Sequence, residues 1–335
     1  MKNLILLEKY QSKLNLIETE VAIKFVKDTF ERILAEKLCL TRVSAPLFVE
    51  VETGLNDHLN GYERPVVFDV LDVKKDVEIV QSLAKWKRFA LKKYNFDPET
   101  GLYTDMNAIR RDEELDNIHS VYVDQWDWER IIKKEERTTS YLESIVNTIF
   151  DVMKEVESLI VLKYPNLSKK LPDKIKFISS EELLVKYPNL SEKERENAIC
   201  KEYGAVFIHQ IGWPLSNGKS HDGRACDYDD WKLNGDILVW FDTLDIALEL
   251  SSMGIRVNAD SLVKQANHKG ETKKLETPYS KALLNNELPL TIGGGIGQSR
   301  LCMFFLEKAH IGEVQASIWS EEDVEVLKKY NIHLL

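Results

Sequence analysis

Gly293-Gly294-Gly295-Ile296-Gly297-Gln298-Ser299-Arg300 is the stretch on which the reading of this 335-residue chain turns. An apolar run from Leu288 to Ile292 precedes it and another, Leu301 to Leu306, follows. That order predicts a strand, a glycine turn and the start of a helix. Glycines let the backbone enter positive φ and let a ligand approach the main chain. Arg300 falls in the first helical turn, where a guanidinium can reach a phosphate or lie over a purine. Two phosphate loops are excluded. A dinucleotide fingerprint needs glycine where Gln298 stands, and the Gly-Lys-Ser/Thr of a P-loop is missing. A glycine-rich turn capping a sheet would leave the same trace on this segment alone, so the rest of the chain has to decide.

Composition narrows the field. Hydrophobic residues make up 44% and charged residues 30%, as in an ordinary globular enzyme. Forty-five basic against 55 acidic side chains leave a net charge of −10, which weighs against nucleic acid as the main partner. Cys39, Cys200, Cys226 and Cys302 show no CxxC spacing, and the seven histidines form no HxxxH pair. A zinc site or disulfide framework is therefore not expected, and a reducing cytoplasm is the simplest home. The N-terminal apolar run is too short for a signal peptide, and no later run reaches the roughly 18 residues of a membrane span. The expectation is a soluble, cytoplasmic chain with no membrane partner.

Outward from the glycine stretch, Leu14 to Leu38 carries Ile17, Val21, Phe25, Ile33 and Leu34 at helical spacing. Leu40 to Val49 reads as a strand whose Pro46 suits an edge or an interface. Strands are expected at Val66–Val70 and Glu78–Val80, and helices at Ser82–Lys93 and Thr138–Leu162. Ser179 with Glu182 and Ser191 with Glu194 are capping boxes, and the second helix stops at Gly204. Lys-Tyr-Pro-Asn-Leu-Ser occurs at 163–168 and again at 186–191, as two similar helix stops. No low-complexity linker divides the chain, so residues 1–335 are expected to form one domain with a helical insertion at about 140–203.

Chemistry concentrates in a few places. In Ser120 to Glu129, strand alternation puts Tyr122, Trp126 and Trp128 on one face and Gln125, Asp127 and Glu129 on the other. The second set makes a polar pocket floor or a solvated outer face. Glu249 and Ser251 are expected opposite Ile246, Leu248 and Leu250, and Asn234-Gly235-Asp236 heads a further strand. Asp236 and Glu249 on neighbouring strands are hard oxygens suited to magnesium shared with nucleotide phosphates. Arg110 sits before a polar loop that returns into the 120–129 strand, where it can clamp an α-phosphate. His221 to Asp230 is a dense polar loop that either closes over substrate or is a solvated turn.

Taken together, Ser82-Leu83-Ala84-Lys85-Trp86-Lys87-Arg88, His119 to Glu129, Asn234 to Trp240, Glu249 to Arg256 and Gly293 to Arg300 resemble the asparagine synthetase A family nearly end to end. That family is the ammonia-dependent aspartate ligases, similar to the catalytic core of class II aspartyl- and asparaginyl-tRNA synthetases. The glycine-arginine stretch resembles their motif 3. The resemblance implies an α+β fold with a mainly antiparallel sheet flanked by helices. It also implies a homodimer built at helix 14–38 and the Pro46 strand. It puts Arg110 on the α-phosphate of ATP, Gly293, Gly294, Gly295, Gly297 and Arg300 around ATP, and Mg²⁺ on Asp236 and Glu249. Asp57, Ser82, Lys85, Gln125, Asp127, Asp229, Ser251 and Ser252 fall where the family arranges its aspartate pocket. Motif 2 departs from the usual Phe-Arg-x-Glu, reading Ile109-Arg110-Arg111-Asp112.

The implied reaction joins the side-chain carboxylate of L-aspartate to AMP and then to free ammonia. Carboxylates are weak nucleophiles, so positioning and neutralisation by Mg²⁺, Arg110 and Arg300 carry the first step. Ammonium dominates at neutral pH, so the second step needs a carboxylate to attract it and take its proton, a role assigned to Asp57 with Asp229 as rival. No cysteine precedes Cys39 and no Ser-Gly-Gly-x-Asp-Ser loop is present, so glutamine is not the expected donor. Two rivals stay open: a tRNA-synthetase-like paralogue with another acceptor, and a non-catalytic amino-acid sensor. The acidic balance and the absence of an oligonucleotide-binding barrel before the Leu14 helix weigh against the first. The retained Arg110, Asp236, Glu249 and Arg300 weigh against the second.

Overall fold

The computed structural model describes residues 4–56, 59 and 63–335. Asp57 lies outside the described residues. The first helix, α1 (Leu16–Leu38), opens on a capping box in which Asn15 accepts from the Glu18 backbone while the Glu18 side chain accepts from Asn15. Ile23, Val26, Phe30, Ile33 and Leu34 form its buried stripe, each such side chain contributing about 1.5–3 kcal/mol by leaving water. Phe30 stacks on Trp126 with ring centroids 4.7 Å apart. Ile17 and Val21, expected on that stripe, are instead 74% and 53% exposed. They sit on the helix side turned away from the sheet.

The strands of the described residues form two sheets. The small one joins β2 (Phe48–Glu50), β3 (Val67–Val70) and β4 (Lys75–Ile79) in the order β2-β4-β3. The large one runs β1-β5-β6-β11-β10-β9-β8-β7. Its strands are β1 (Leu40–Arg42), β5 (Gly101–Ile109), β6 (Tyr122–Ile131), β7 (Lys176–Ser179), β8 (Ala205–His209), β9 (Asp229–Phe241), β10 (Ile246–Arg256) and β11 (Thr291–Gly297). Joins from β5 across to β8 are antiparallel, but β1 pairs β5 and β7 pairs β8 in parallel. The sheet is therefore mixed, with a parallel strand at each edge. The reason is connection length. Parallel neighbours need a crossover, which α4 (Ser180–Lys186) and α5 (Glu192–Tyr203) supply between β7 and β8. The 140–203 span accordingly holds a sheet strand as well as helices.

The strand expected over 40–49 is two strands in different sheets, because Pro46 cannot donate to a ladder and breaks the run between them. The remaining helices follow their sequence signals. They are α2 (Ala84–Lys93), α3 (Thr139–Lys163), α6 (Ala259–Lys269), α7 (Pro278–Leu284), α8 (Gln298–Phe305) and α9 (Glu321–Lys329). Both serine capping boxes form, and α5 ends at Gly204 with φ 78°. One face of the large sheet is sealed by α1, α3 and α8 around Trp126, Trp128, Ile292 and Ile296. The other is covered in patches by α2, α4 and α5, leaving a gap over its centre. No helix among the described residues is long and apolar enough to cross a membrane.

Candidate active site

A cavity of about 400 Å³ opens over that gap. Gln125 and Asp127 of β6, Glu249 and Ser252 of β10, Gly294, Gly295 and Gly297 of β11, and Arg300 of α8 line it. Ser82, Arg110 and Asp229 join them from loops and strand ends. Strand alternation in β6 holds from Gln125 onward, with Trp126 and Trp128 fully buried on the opposite face, whereas Tyr122 at the strand's start, expected with the tryptophans, lines the cavity. Lys85, Asp236, Ser251 and Gly293 stand behind the wall, not on its surface.

The glycines act differently from expectation. Gly293 to Gly297 is the strand itself and not a turn, and none of these residues takes positive φ. What they supply is room. A Cβ on Gly295 would lie 2.2 Å from Gln125 Oε1, and one on Gly293 would lie 2.1 Å from Glu129 Oε2. Gly293 and Gly295 thus let the β6 side chains Glu129 and Gln125 lie flat across the neighbouring strand. Gly297 is the N-cap of α8, which sets Arg300 in the first turn.

Arg300 donates from Nη1 to the Glu249 carbonyl at 3.2 Å and from Nε to the Ile118 carbonyl at 3.4 Å. Arg110 follows β5 directly, and its backbone N–H donates to the Val121 carbonyl at 2.8 Å, closing the polar loop. Its Nη1 lies 3.7 Å from Glu113 Oε2, and its Nε is buried without a partner. Asp112, the motif 2 acid, turns away to Arg64. Glu113, one residue on, is the acid that lines the cavity.

Asp236 and Glu249 do stand on paired neighbouring strands, β9 and β10. A bulge lies between Glu249 and Ser251, where the ladder slips by one residue. Alternation therefore flips, and Ser252, opposite Asp236, lines the cavity in place of Ser251. Ser251 is 1% exposed, and its Oγ has no partner. Burial pushes Asp236 up to about 7, with Arg224 pulling the other way and the Glu249 charge adding to the rise. Arg224 donates to Asp236 Oδ2 and to Asp222, while Asp236 Oδ1 is buried and unpaired.

Beneath the floor runs a buried ion network. Lys87 donates to Asp127 and, at 2.9 Å, to the Trp128 carbonyl, and stands 3.6 Å from Glu129. Arg256 grips Glu129 at 2.8–3.0 Å and also Asp229. Burial alone would raise Glu129, yet Arg256, Lys87 and the Thr291 hydroxyl hold it below the usual carboxylate range. Burial wins at Asp229, which is raised despite Arg256. Lys85 is occupied with Asp227 at 3.1 Å.

Sequence reasoning gave no role to Lys87, Arg224, Arg256, Glu113 or Gln81. Gln81 is buried at the cavity edge with both amide atoms unpartnered. A signal existed for Arg256, since a cation ending the apolar strand 246–255 demands a buried anion. Lys87 gave none, because Lys85-Trp86-Lys87-Arg88 reads like any solvated helix face.

Comparison with known proteins gives one family. The family described as aspartate-ammonia ligase matches residues 17–331. An aspartate–ammonia ligase of Bacillus cytotoxicus is 60% identical over 97% of this chain and 99% of its own length. Its counterpart in Ruminiclostridium cellulolyticum is 60% identical over the whole of both chains. Among solved structures, asparaginyl-tRNA synthetase of Entamoeba histolytica with asparaginyl-adenylate superimposes with a TM-score of 0.64 at 16% identity. That match covers 90% of this chain and 66% of that one. The Pyrococcus horikoshii asparaginyl-tRNA synthetase gives 0.64 at 17%, covering 90% and 70%. At that identity the likeness is one of fold.

Proposed function

The chain belongs to the aspartate–ammonia ligase family, and from that premise we propose that it makes L-asparagine from L-aspartate, ATP and free ammonia, releasing AMP and pyrophosphate. The observation that carries this reading is the convergence of Arg110, Arg300 and Glu249 with Ser82, Gln125 and Asp127 on one cavity. Cationic phosphate contacts and a polar pocket of amino-acid size share one space. In the first step a β-carboxylate oxygen of aspartate bonds to the α-phosphorus, and the bond to the bridging oxygen of pyrophosphate breaks. Arg110, whose Nε lacks a partner, and Arg300 hold the charge that gathers on the α-phosphate. In the second step ammonia attacks the acyl carbon and AMP leaves. Asp57 is proposed to accept the ammonium proton; its rival Asp229 is committed to Arg256.

The residues present fit a divalent cation. Asp236 keeps a buried, unpaired oxygen and a charge that burial disfavours, with Glu249 near it. Such a hard-oxygen pair suits Mg²⁺ completed by phosphate oxygens and water. Bound there, Mg²⁺ would neutralise phosphate charge. Among the described residues no third acid, His or Cys joins them. The exposed apolar side of α1, with Leu16, Ile17 and Val21, supports a homodimer, and the whole chain is read as one catalytic unit in the cytoplasm.

The test is direct. Purified protein given MgATP, ammonium and aspartate labelled with ¹⁸O in its side-chain carboxylate should yield asparagine and ¹⁸O-labelled AMP in equal amounts, with no RNA added. Formation of ADP, AMP that carries no label, or a need for RNA would overturn the reading.

A further inference from the structure

Arg224 does not take part in the chemistry so far, yet its guanidinium occupies the most telling position near the cavity. It lies on the loop between β8 and β9 and lines a recess beside the main cavity, together with Arg110, Glu113, Asp222, Glu249 and Ser252. That recess is continuous with the main cavity, sharing Arg110, Glu113, Asp222, Glu249 and Ser252 with it, but contains none of Gln125, Asp127, Arg300 or the β11 glycines. Its guanidinium liners are Arg110 and Arg224, set among carboxylates that also include Glu63, Asp112, Glu114 and Asp116, so an anion entering it depends on these two cations. In an in-line displacement the leaving group departs on the side opposite the nucleophile. Ser82, Gln125 and Asp127 of the amino-acid pocket line only the main cavity, so the recess is the part of the shared space left open to the leaving group.

The second observation is the partner Arg224 now holds. It donates to Asp236 Oδ2, so the cation-binding acid is already neutralised by a side chain, and Arg224 lines the recess while Asp236 lies behind it. The backbone at Arg224 is fixed. Lys269 donates to the Arg224 carbonyl at 3.0 Å, Trp231 Nε1 to the Ala225 carbonyl at 3.1 Å, and Gln265 to the Cys226 carbonyl at 3.0 Å. Only the side chain is left to move. Leaving Asp236 buried with no cation would be costly, so partner exchange is the low-cost route.

Resting on the function proposed above, we propose that Arg224 is a phosphate-binding residue that exchanges partners. It caps Asp236 in the empty enzyme. When the nucleotide and its divalent ion arrive, it releases Asp236 to the ion and turns to the β- and γ-phosphates, where it later receives the charge of departing pyrophosphate. The bond made and the bond broken are those of the adenylation step; Arg224 transfers no proton and supplies only charge.

The test compares ligands that differ in those two phosphates. Calorimetry on wild type and Arg224→Ala, without aspartate so that nothing turns over, should show MgATP binding weakened about 10- to 100-fold and AMP binding unchanged, as for one lost charge-assisted contact. Mn²⁺ alone, followed by its EPR signal, should bind Arg224→Ala more tightly than wild type, because its competitor is gone. Millimolar guanidinium should restore part of the aspartate-dependent ATP–pyrophosphate exchange. Equal losses for ATP and AMP would reduce Arg224 to a loop staple and overturn the proposal, as would weaker or unchanged Mn²⁺ binding. Because binding is read without turnover, a protein that binds MgATP yet makes no asparagine sinks the proposed function and leaves this inference readable.

Discussion

Two glycines two residues apart should fail in opposite ways. A Cβ at position 295 would meet only the end of Gln125, at 2.2 Å from Oε1, 2.8 Å from Cδ and 3.4 Å from Nε2. That amide has to retreat by more than an ångström, and its side chain is free to do so into the cavity it lines. A Cβ at position 293 would lie 2.1 Å from Glu129 Oε2 and 2.6 Å from the Trp128 carbonyl. There nothing can retreat: the carbonyl is backbone, and Glu129 is held by Arg256, Lys87 and Thr291. Gly295→Ala should therefore keep its stability within about 1.5 kcal/mol. Its KM for aspartate should rise about 10- to 100-fold through the displaced Gln125 contact. Gly293→Ala should lose about 4 kcal/mol or more, combining overpacking with a broken buried ion network. Urea unfolding separates the two, and aspartate-dependent ATP–pyrophosphate exchange reads the KM. If Gly293→Ala unfolds at the same urea concentration as Gly295→Ala, or if Gly295→Ala keeps the wild-type KM, the spatial account of the glycine run is wrong.

Lys87→Met removes a buried cation in contact with both Asp127 and Glu129, so unfolding free energy should fall by about 3–5 kcal/mol; a loss under about 1 kcal/mol would mean water reaches the pair. His310 is buried against Trp319, and burial pulls it down to about 4. The unfolded chain then binds the proton that the folded chain refuses between pH 6.5 and 4, and stability falls as pH drops. Going from pH 7 to pH 5 should cost about 2 kcal/mol from this group. His310→Asn should flatten that slope in urea titrations, and an unchanged slope would refute it. Asp57→Asn should depress asparagine formation while sparing ATP–pyrophosphate exchange; equal loss of both would move the ammonium role elsewhere.

Local rules read correctly wherever one element decides the outcome. The capping boxes of α4 and α5, the helix stop at Gly204 and the opposed faces of β6 from Gln125 onward all rest on contacts within about four residues, and the sequence displays such contacts. Misreadings arose where a second element intervenes. Ser251, expected in the pocket beside Ser252, leaves the cavity wall because the β9–β10 pairing slips between Glu249 and Ser251, and such a slip leaves no mark in the alternation itself. Ile17 and Val21 look like core at helical spacing, yet only the sheet beneath α1 selects which side is inside. The glycine run looked like a turn because glycine is read by its backbone freedom. Its use here is steric, and the atoms it makes room for are over 160 residues away.

The ion network explains why the charged residues of this site were harder to read than its glycines. Every acid beneath or behind the cavity already has a cation: Asp127 has Lys87, Glu129 and Asp229 share Arg256, Asp227 has Lys85, and Asp236 has Arg224. Each pair joins distant elements, so no short motif contains both members. A buried carboxylate cannot be left bare without a penalty of several kcal/mol, so a site of this kind cannot wait with open charges for its ligands. It has to be balanced when empty and balanced again when loaded. Lys87, fully enclosed, and Arg256, which touches the cavity but is gripped by both Glu129 and Asp229, keep their partners through both states and hold the floor rigid. Arg224 lines a recess and grips an acid whose second oxygen is vacant, which leaves it the member of the set best placed to trade one anion for another.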